Sequence, residues 1–235
     1  MKKSTVEDIR KRFDADVERF SQLETGQQAV IDAPLMMELI TDAASKATPK
    51  AKRVLDIGCG AGNQTLKLLS RLSNLHCDLL DLSEPMLKRA YERVSNQTNG
   101  LVRTFQADIR HAALESNAYD ILIAGAVLHH LRDDEDWTRT FAKLFELLKP
   151  GGSLWISDMV HHDDTAIQEL MWNRYGEYLT KLGGEDYKDK VFSYIDFEDS
   201  PRSLTYQVRL LQDVGFKQIE ILHKNSCFAA FGAIK

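Results

Sequence analysis

Three aspartates close three short apolar runs: Asp56 in RVLDI, Asp81 in LHCDLLDL and Asp108 in LVRTFQAD. Between the first two lies GCGAG, with glycines at 58, 60 and 62. Glycine turns tightly and lets a ligand approach bare backbone, and a helix that starts there adds its positive end. An acid about 20 residues beyond such a loop can accept both hydroxyls of a ribose, the role that falls to Asp81. Asp108 can accept from an adenine amino group, with Ile109 against the ring. A single strand-end aspartate is more often a turn former or helix cap. Three on successive strands, beside one glycine loop, point instead to a nucleoside site. The spacing is G-x-G-x-G, with Asn63 where the dinucleotide fingerprint requires glycine.

A second set of residues could act on whatever is bound there. His129 and His130, in AVLHHLRDD, follow the fourth apolar run. An imidazole at that place could serve as a base near neutral pH, or simply pack within the loop. The run SDMVHHDD holds Asp158, His161, His162, Asp163 and Asp164, dense enough in donors for a divalent ion. Helix initiation, with Asp163 or Asp164 as the cap, is the expected role, and no metal site is assigned. The segment AIQELMWNRYGEYLTKL groups Trp172, Tyr175 and Tyr178, which either cover an apolar acceptor or form a packing face, between subunits for example. Arg174 beside them could pair with an acidic acceptor. Lys224 and Asn225 sit in a hairpin turn on the expected ligand side, and Arg19, Phe20 and Gln27 in a segment that could close over the site.

These residues need a frame. Apolar runs at 53–57, 75–82, 101–107, 119–127 and 152–160 read as strands, with helical spacing between them. Leu66, Leu68, Leu69 and Leu72 follow the first run. Met86, Leu87, Ala90 and Val94 follow the second, opened by Ser83 and Pro85. Trp137, Phe141, Leu144, Phe145 and Leu148 follow the fourth, stopped by Pro150-Gly151-Gly152. The pattern predicts a parallel α/β sheet covered on both faces, closed by a helix and a hairpin around Asn225-Ser226. A single domain is expected: a helical lid over residues 1–48, a core over 53–160, a cap insertion over 161–200, and a terminal helix and hairpin over 201–235.

Composition excludes several classes. The chain has 235 residues, 43% hydrophobic, with net charge -5, and its pI of about 5.8 argues against a nucleic-acid or anionic-membrane surface. The longest apolar stretch, residues 121–128, is too short to span a bilayer. Three cysteines with no paired spacing suit reduced thiols and a cytoplasmic protein.

In the order and separations of VLDIGCGAG, LLDLSEPML, QADIR, ILIAGAVLHHL and LLKPGGSLWISD, the chain resembles the class I S-adenosylmethionine (SAM) dependent methyltransferases over residues 53–160. The resemblance implies a Rossmann-like three-layer sandwich whose seven-stranded sheet has order 3-2-1-4-5-7-6, the last strand antiparallel. It implies SAM as cofactor and S-adenosylhomocysteine as product. Gly58, Cys59 and Gly60 would meet the methionine part, Asp81 and Leu82 the ribose, Asp108 and Ile109 the adenine, and Gly125 the floor beneath the sulfonium. Asp56 and Met86 are counted with this set. His129 and His130 are the candidate catalytic residues, and Trp172, Arg174, Tyr175, Tyr178 and Lys224 the candidate substrate contacts. The expectation is methyl transfer to a small molecule, by a possible homodimer. The layout is also similar to carboxy-SAM synthases, whose role is tRNA modification. Phe192 falls near the position where those enzymes use arginine, and Lys190 is the nearest cation. A SAM-binding module without catalysis is the remaining alternative.

Overall fold

The computed structural model describes residues 3–22 and 26–235. Part of the expected lid, residues 1, 2 and 23–25, lies outside the described residues. Seven strands form one sheet: β1 (Arg53–Ile57), β2 (His76–Asp81), β3 (Val102–Gln106), β4 (Tyr119–Gly125), β5 (Leu148–Met159), β6 (Gln218–Asn225) and β7 (Phe228–Ile234). Their order is β3-β2-β1-β4-β5-β7-β6. All pairings from β3 to β5 are parallel, and β7 runs antiparallel to both β5 and β6.

Strand alternation divides the core. Leu55, Ile57, Leu122 and Ala124 face one layer, built with α6 (Asp134–Leu147) and α9 (Leu204–Asp213). Val54, Ile121, Ile123 and Trp155 face the other, with α3 (Ala33–Ala47) and α4 (Asn63–Leu69). Both faces are dry, so the central strands carry apolar residues at nearly every position. Two of the sheet-covering helices begin where short polar side chains satisfy free amides. Ser83 accepts from Met86 N at the start of α5 (Glu84–Ser95), and Asp133 from Asp136 N at the start of α6. The faces of α6 then bury Trp137, Phe141 and Leu144 completely. Truncating Trp137 to alanine would cost about 3–5 kcal/mol through the cavity left behind.

Three boundaries depart from the sequence reading. β5 begins at Leu148, because Leu148 already pairs with Tyr119 and the Pro-Gly-Gly stretch is absorbed as an irregularity in that ladder. The hairpin turns at Ser226 and Cys227, one residue late, with Ser226 taking φ 49°. The insertion holds two helices rather than one, α7 (Thr165–Gly183) and α8 (Glu185–Glu198), broken at Gly184 with φ 84°. Ahead of β1, α1 (Val6–Asp14) and α2 (Val17–Phe20) lie against α5. Among the described residues no helix is long and apolar enough to cross a membrane.

Candidate functional site

At the carboxyl ends of β1, β2 and β4 the chain encloses a cavity lined by Gly58, Cys59, Gly60, Asp81, Leu82, Met86, Asp108, Ile109 and Gly125. Nine of the ten expected cofactor residues are therefore together. The glycines divide their tasks. A Cβ on Gly58 would lie 2.5 Å from Val127 Cγ2, and on Gly62 3.3 Å from Ala90 Cβ, so both admit protein neighbours. A Cβ on Gly60 would meet nothing within 4 Å. Gly60 has φ +50°, and its amide donates to Asp81 Oδ2 at 2.8 Å. Asp81 Oδ1 accepts from Ser83 N at 2.9 Å. The loop and the end of β2 are thus locked by one carboxylate that keeps lone pairs toward the cavity. Partial burial pushes its pKa up, against the pull of those amides.

Asp56 is the tenth residue and sits elsewhere. It is fully buried beneath the loop, where Oδ2 accepts from Thr65 Oγ1 at 2.7 Å and Thr65 N at 3.2 Å. Its role is to hold the first turn of α4, and burial raises its pKa to about 6. Asp108 lines the cavity but is also gripped by Arg110, whose Nη2 lies 2.6 Å from Oδ2. Burial alone would raise its pKa, and the Arg110 guanidinium and amide bring it below the usual carboxylate range. Asn63 explains its departure from glycine: Nδ2 donates to Phe20 O at 2.9 Å while Oδ1 accepts from Arg93 at 2.8 Å. It ties the N-terminal segment to the glycine loop, and Ile9, Phe13, Phe20 and Gln27 complete the cavity wall.

A larger cavity of about 570 Å³ adjoins the first. Phe13, Phe20, Gln27, Ala126 and His130 line both. Ala126 turns the chain off β4 with φ 53°, an uncommon left-handed conformation for a residue with a Cβ. Next, residues Leu128–His130 form a 3-10 turn organised by Asp158 from β5. The Asp158 carboxylate accepts from Leu128 N at 2.8 Å and His129 N at 3.2 Å, and bonds His129 Nδ1. On the other side of the rings stands Asp199, just beyond α8, with Oδ1 3.1 Å from His130 Nδ1 and 3.7 Å from His129 Nε2. Burial disfavours a charged His129, but Asp158 and Asp199 outweigh it and raise its pKa to about 9. Such a ring keeps its proton at neutral pH and is a poor base. His130 goes the other way, lowered by burial and by its charged neighbour.

The expected substrate residues scatter. Tyr175 lines the larger cavity, and its hydroxyl donates to Ala29 O at 2.9 Å. Trp172 lines neither cavity; it stacks on Phe192 at 4.5 Å within the α7–α8 contact. Phe192 is likewise committed to packing, whereas Lys190 lines the larger cavity. Tyr178 bonds Gln28 O, Lys224 reaches His162 Nε2 at 2.7 Å, and Arg174 is exposed on the outer face of α7. The acidic run after β5 disperses as well, with Asp164 capping α7 and Asp163 accepting from Thr205. Arg12, Glu198 and Asp199 were not foreseen at the site. Their signal is weak, since α1 and the end of α8 reach it only through tertiary packing.

The residues present suit SAM: a diol acceptor in Asp81, an amine acceptor in Asp108, apolar Leu82, Met86 and Ile109, and open space over Gly60. Comparisons agree. A methyltransferase-domain family model matches residues 54–152. The carboxy-SAM synthase of Shewanella amazonensis is 27% identical over 204 residues, covering 85% of this chain and 83% of that protein. The trans-aconitate 2-methyltransferase of Deinococcus radiodurans is 35% identical over 133 residues, 56% of this chain and 47% of that protein. Among solved structures, Haemonchus contortus phosphoethanolamine N-methyltransferase 2 in complex with SAM superposes with TM-score 0.66 at 17% identity, covering 94% of this chain and 57% of that one. Residues 54–152 match the methyltransferase-domain family, and the relatives and structural neighbours support a class I SAM-dependent methyltransferase.

Proposed function

We propose that this methyltransferase acts on a small-molecule acceptor held in the larger cavity. The observation that carries the reading is the junction: five residues, Phe13, Phe20, Gln27, Ala126 and His130, line both cavities, so an acceptor there abuts the cofactor site. Bound SAM supplies an electrophilic sulfonium methyl, and the balanced products are methylated acceptor, S-adenosylhomocysteine and a proton. The chain's own part is placement and exclusion of water. Asp81 and Leu82 would hold the ribose, Asp108 and Ile109 the adenine, and Gly58, Cys59 and Gly60 the methionine part, over a floor at Gly125. Met86 packs behind them, and Asp56 acts through Thr65 to fix the loop. His129 and His130 would contact the acceptor. The segment ahead of α3 serves as a lid through Phe13 and Phe20, whereas α3 itself belongs to the core layer, and α7 and α8 serve as a cap, all within one domain.

The acidic balance supports a small acceptor over nucleic acid. The free, buried cysteines suit the cytoplasm. Exposed Ile167, Leu170 and Leu182 on α7 support a homodimer, which light scattering would test. Incubation with trideuteromethyl-SAM and a metabolite extract tests the function. A labelled small molecule, formed with equal S-adenosylhomocysteine, is expected. Label found only in RNA or protein would overturn the reading.

A second reading rests on the long match to carboxy-SAM synthases. Lys190, Arg12 and Arg19 bring cations to the larger cavity, where a carboxylated methyl could be met. Against it, Arg12 Nη2 is paired with Glu198 at 2.5 Å, and a lysine lacks the two-pronged geometry of arginine. Detection of carboxy-SAM released from the purified protein would favour this reading.

A further inference from the structure

We propose that His129, His130 and Asp199 form a site for one divalent transition-metal ion in the wall of the larger cavity. The use of that ion rests on the methyl-transfer reading; its binding does not.

The geometry comes first. One ligand atom from each of the three side chains lies within 4.8 Å of the others, the one such group found among the described residues. His130 Nδ1 and Asp199 Oδ1 are 3.1 Å apart, and His129 Nε2 and Asp199 Oδ1 3.7 Å. Bonds of about 2.0–2.2 Å around one ion set neighbouring donors roughly 3.0–3.5 Å apart, so the first separation matches an edge of a coordination shell and the second exceeds it by about 0.2 Å.

The donors are also unspent. Asp199 is 9% exposed, yet its Oδ1 is buried without a hydrogen-bond partner, as are both ring nitrogens of His130. The 3.1 Å approach of His130 to Asp199 therefore lacks hydrogen-bond alignment. Atoms left in this state at close range carry a desolvation cost that a shared ion would relieve.

His129 is prepared in the manner of a metal ligand. Its Nδ1 is bonded to Asp158, a carboxylate itself anchored by two backbone amides. Asp158 holds the Nδ1 proton, so an ion that displaces the proton on Nε2 meets a nitrogen directed toward Asp199, the carboxylate–histidine arrangement that orients metal ligands. Asp199 is brought there by backbone, since Ser200 N donates to His129 O at 2.7 Å.

The nearby cations do not fill the place. Arg12 is matched by Glu198 at 2.5 Å, and Arg132 donates to the carbonyls of Glu198 and Ser4. His129, His130, Asp158 and Asp199 all line the larger cavity, which gives an ion a path in. Two imidazoles and one carboxylate suit Zn2+, Mn2+ or Co2+ better than Mg2+ or Ca2+. With three protein donors, the ion keeps open positions. An acceptor hydroxyl bound there would lose its proton more readily and be held beside the cofactor cavity.

The test uses full-length protein without a histidine tag, stripped by chelator and titrated with ZnCl2, MnCl2 and CoCl2 in the absence of SAM. One ion per chain is expected by calorimetry, with a visible cobalt spectrum of nitrogen–oxygen coordination. Asp158→Asn should lower affinity roughly 10–100-fold, as loss of an outer carboxylate does. Asp199→Asn and His130→Gln should lower it further, while His161→Ala leaves it unchanged. Far-UV circular dichroism confirms folding, and if Asp199→Asn fails to fold, His130→Gln carries the comparison. Absence of binding by wild type, or wild-type affinity in folded Asp199→Asn or His130→Gln, would overturn the site. SAM titration of the same preparation reports separately on the methyltransferase reading.

Discussion

Alanine at Gly58 and at Gly60 should separate folding from cofactor binding. Both glycines have positive φ, +64° and +50°, so each substitution carries the left-handed cost of roughly 1–2 kcal/mol. At Gly58 the new methyl would also meet Val127 at 2.5 and 2.7 Å. Valine has little rotamer freedom with which to give way, and overpacking of this kind adds about 1–3 kcal/mol. Gly58→Ala should therefore lose about 2–5 kcal/mol, a fall in Tm of roughly 5–20 °C for a chain of this size. Gly60→Ala should fall by only about 2–8 °C. Its methyl enters open space at the cavity wall. If SAM lies against that backbone, the same steric term of about 1–3 kcal/mol moves to binding, a loss of roughly 5–150-fold in affinity. Differential scanning fluorimetry and calorimetric SAM titration of both variants give the two numbers. Wild-type SAM affinity in Gly60→Ala, or equal Tm losses in both, would refute the division of labour.

Asp81→Ala removes the proposed ribose acceptor and frees the amides of Gly60 and Ser83. SAM affinity should drop by about 100-fold, from loss of charge-assisted bonds worth about 1.5–3 kcal/mol each, and unchanged affinity would remove Asp81 from the site. Asp56 titrates near 6 in the fold and near 3.9 unfolded, so the folded state binds more protons between those values. Its contribution to stability is present below about pH 4 and declines by about 1.4 kcal/mol per pH unit up to about pH 6. Urea unfolding of wild type should show that decline relative to Asp56→Asn; parallel pH profiles would contradict it. Tyr119→Phe removes the 2.8 Å bond to buried Asp78 and should cost about 1–2 kcal/mol in urea unfolding while SAM affinity stays constant.

The strand–turn–helix around residues 53–69 is local and therefore legible: apolar run, glycines and leucine spacing each announce one element. The same holds for Ser83 and Asp133, whose side chains cap the helices they precede. The acids ending β2 and β3 could be aligned with a ligand because strand ends in a parallel sheet fall on one side. What the sequence hides is tertiary. Asp199 meets His129 only because α8 folds back against the turn after β4. The spacing of Tyr187, Val191 and Ile195 is the signal that would have revealed α8, whose apolar side packs against the sheet-side core. The sequence left Trp172 open between covering a ligand and packing, because its partner Phe192 lies on that unforeseen helix. Asp158 read as one member of an acidic run, and only the 3-10 turn after β4 makes it the anchor of His129.

Calorimetric titration of the purified chain with SAM, followed by competition with S-adenosylhomocysteine and with NAD, addresses the central claim most directly. One SAM per chain, displaced by S-adenosylhomocysteine and indifferent to NAD, is the predicted result. Saturable NAD binding with no heat from SAM would contradict it.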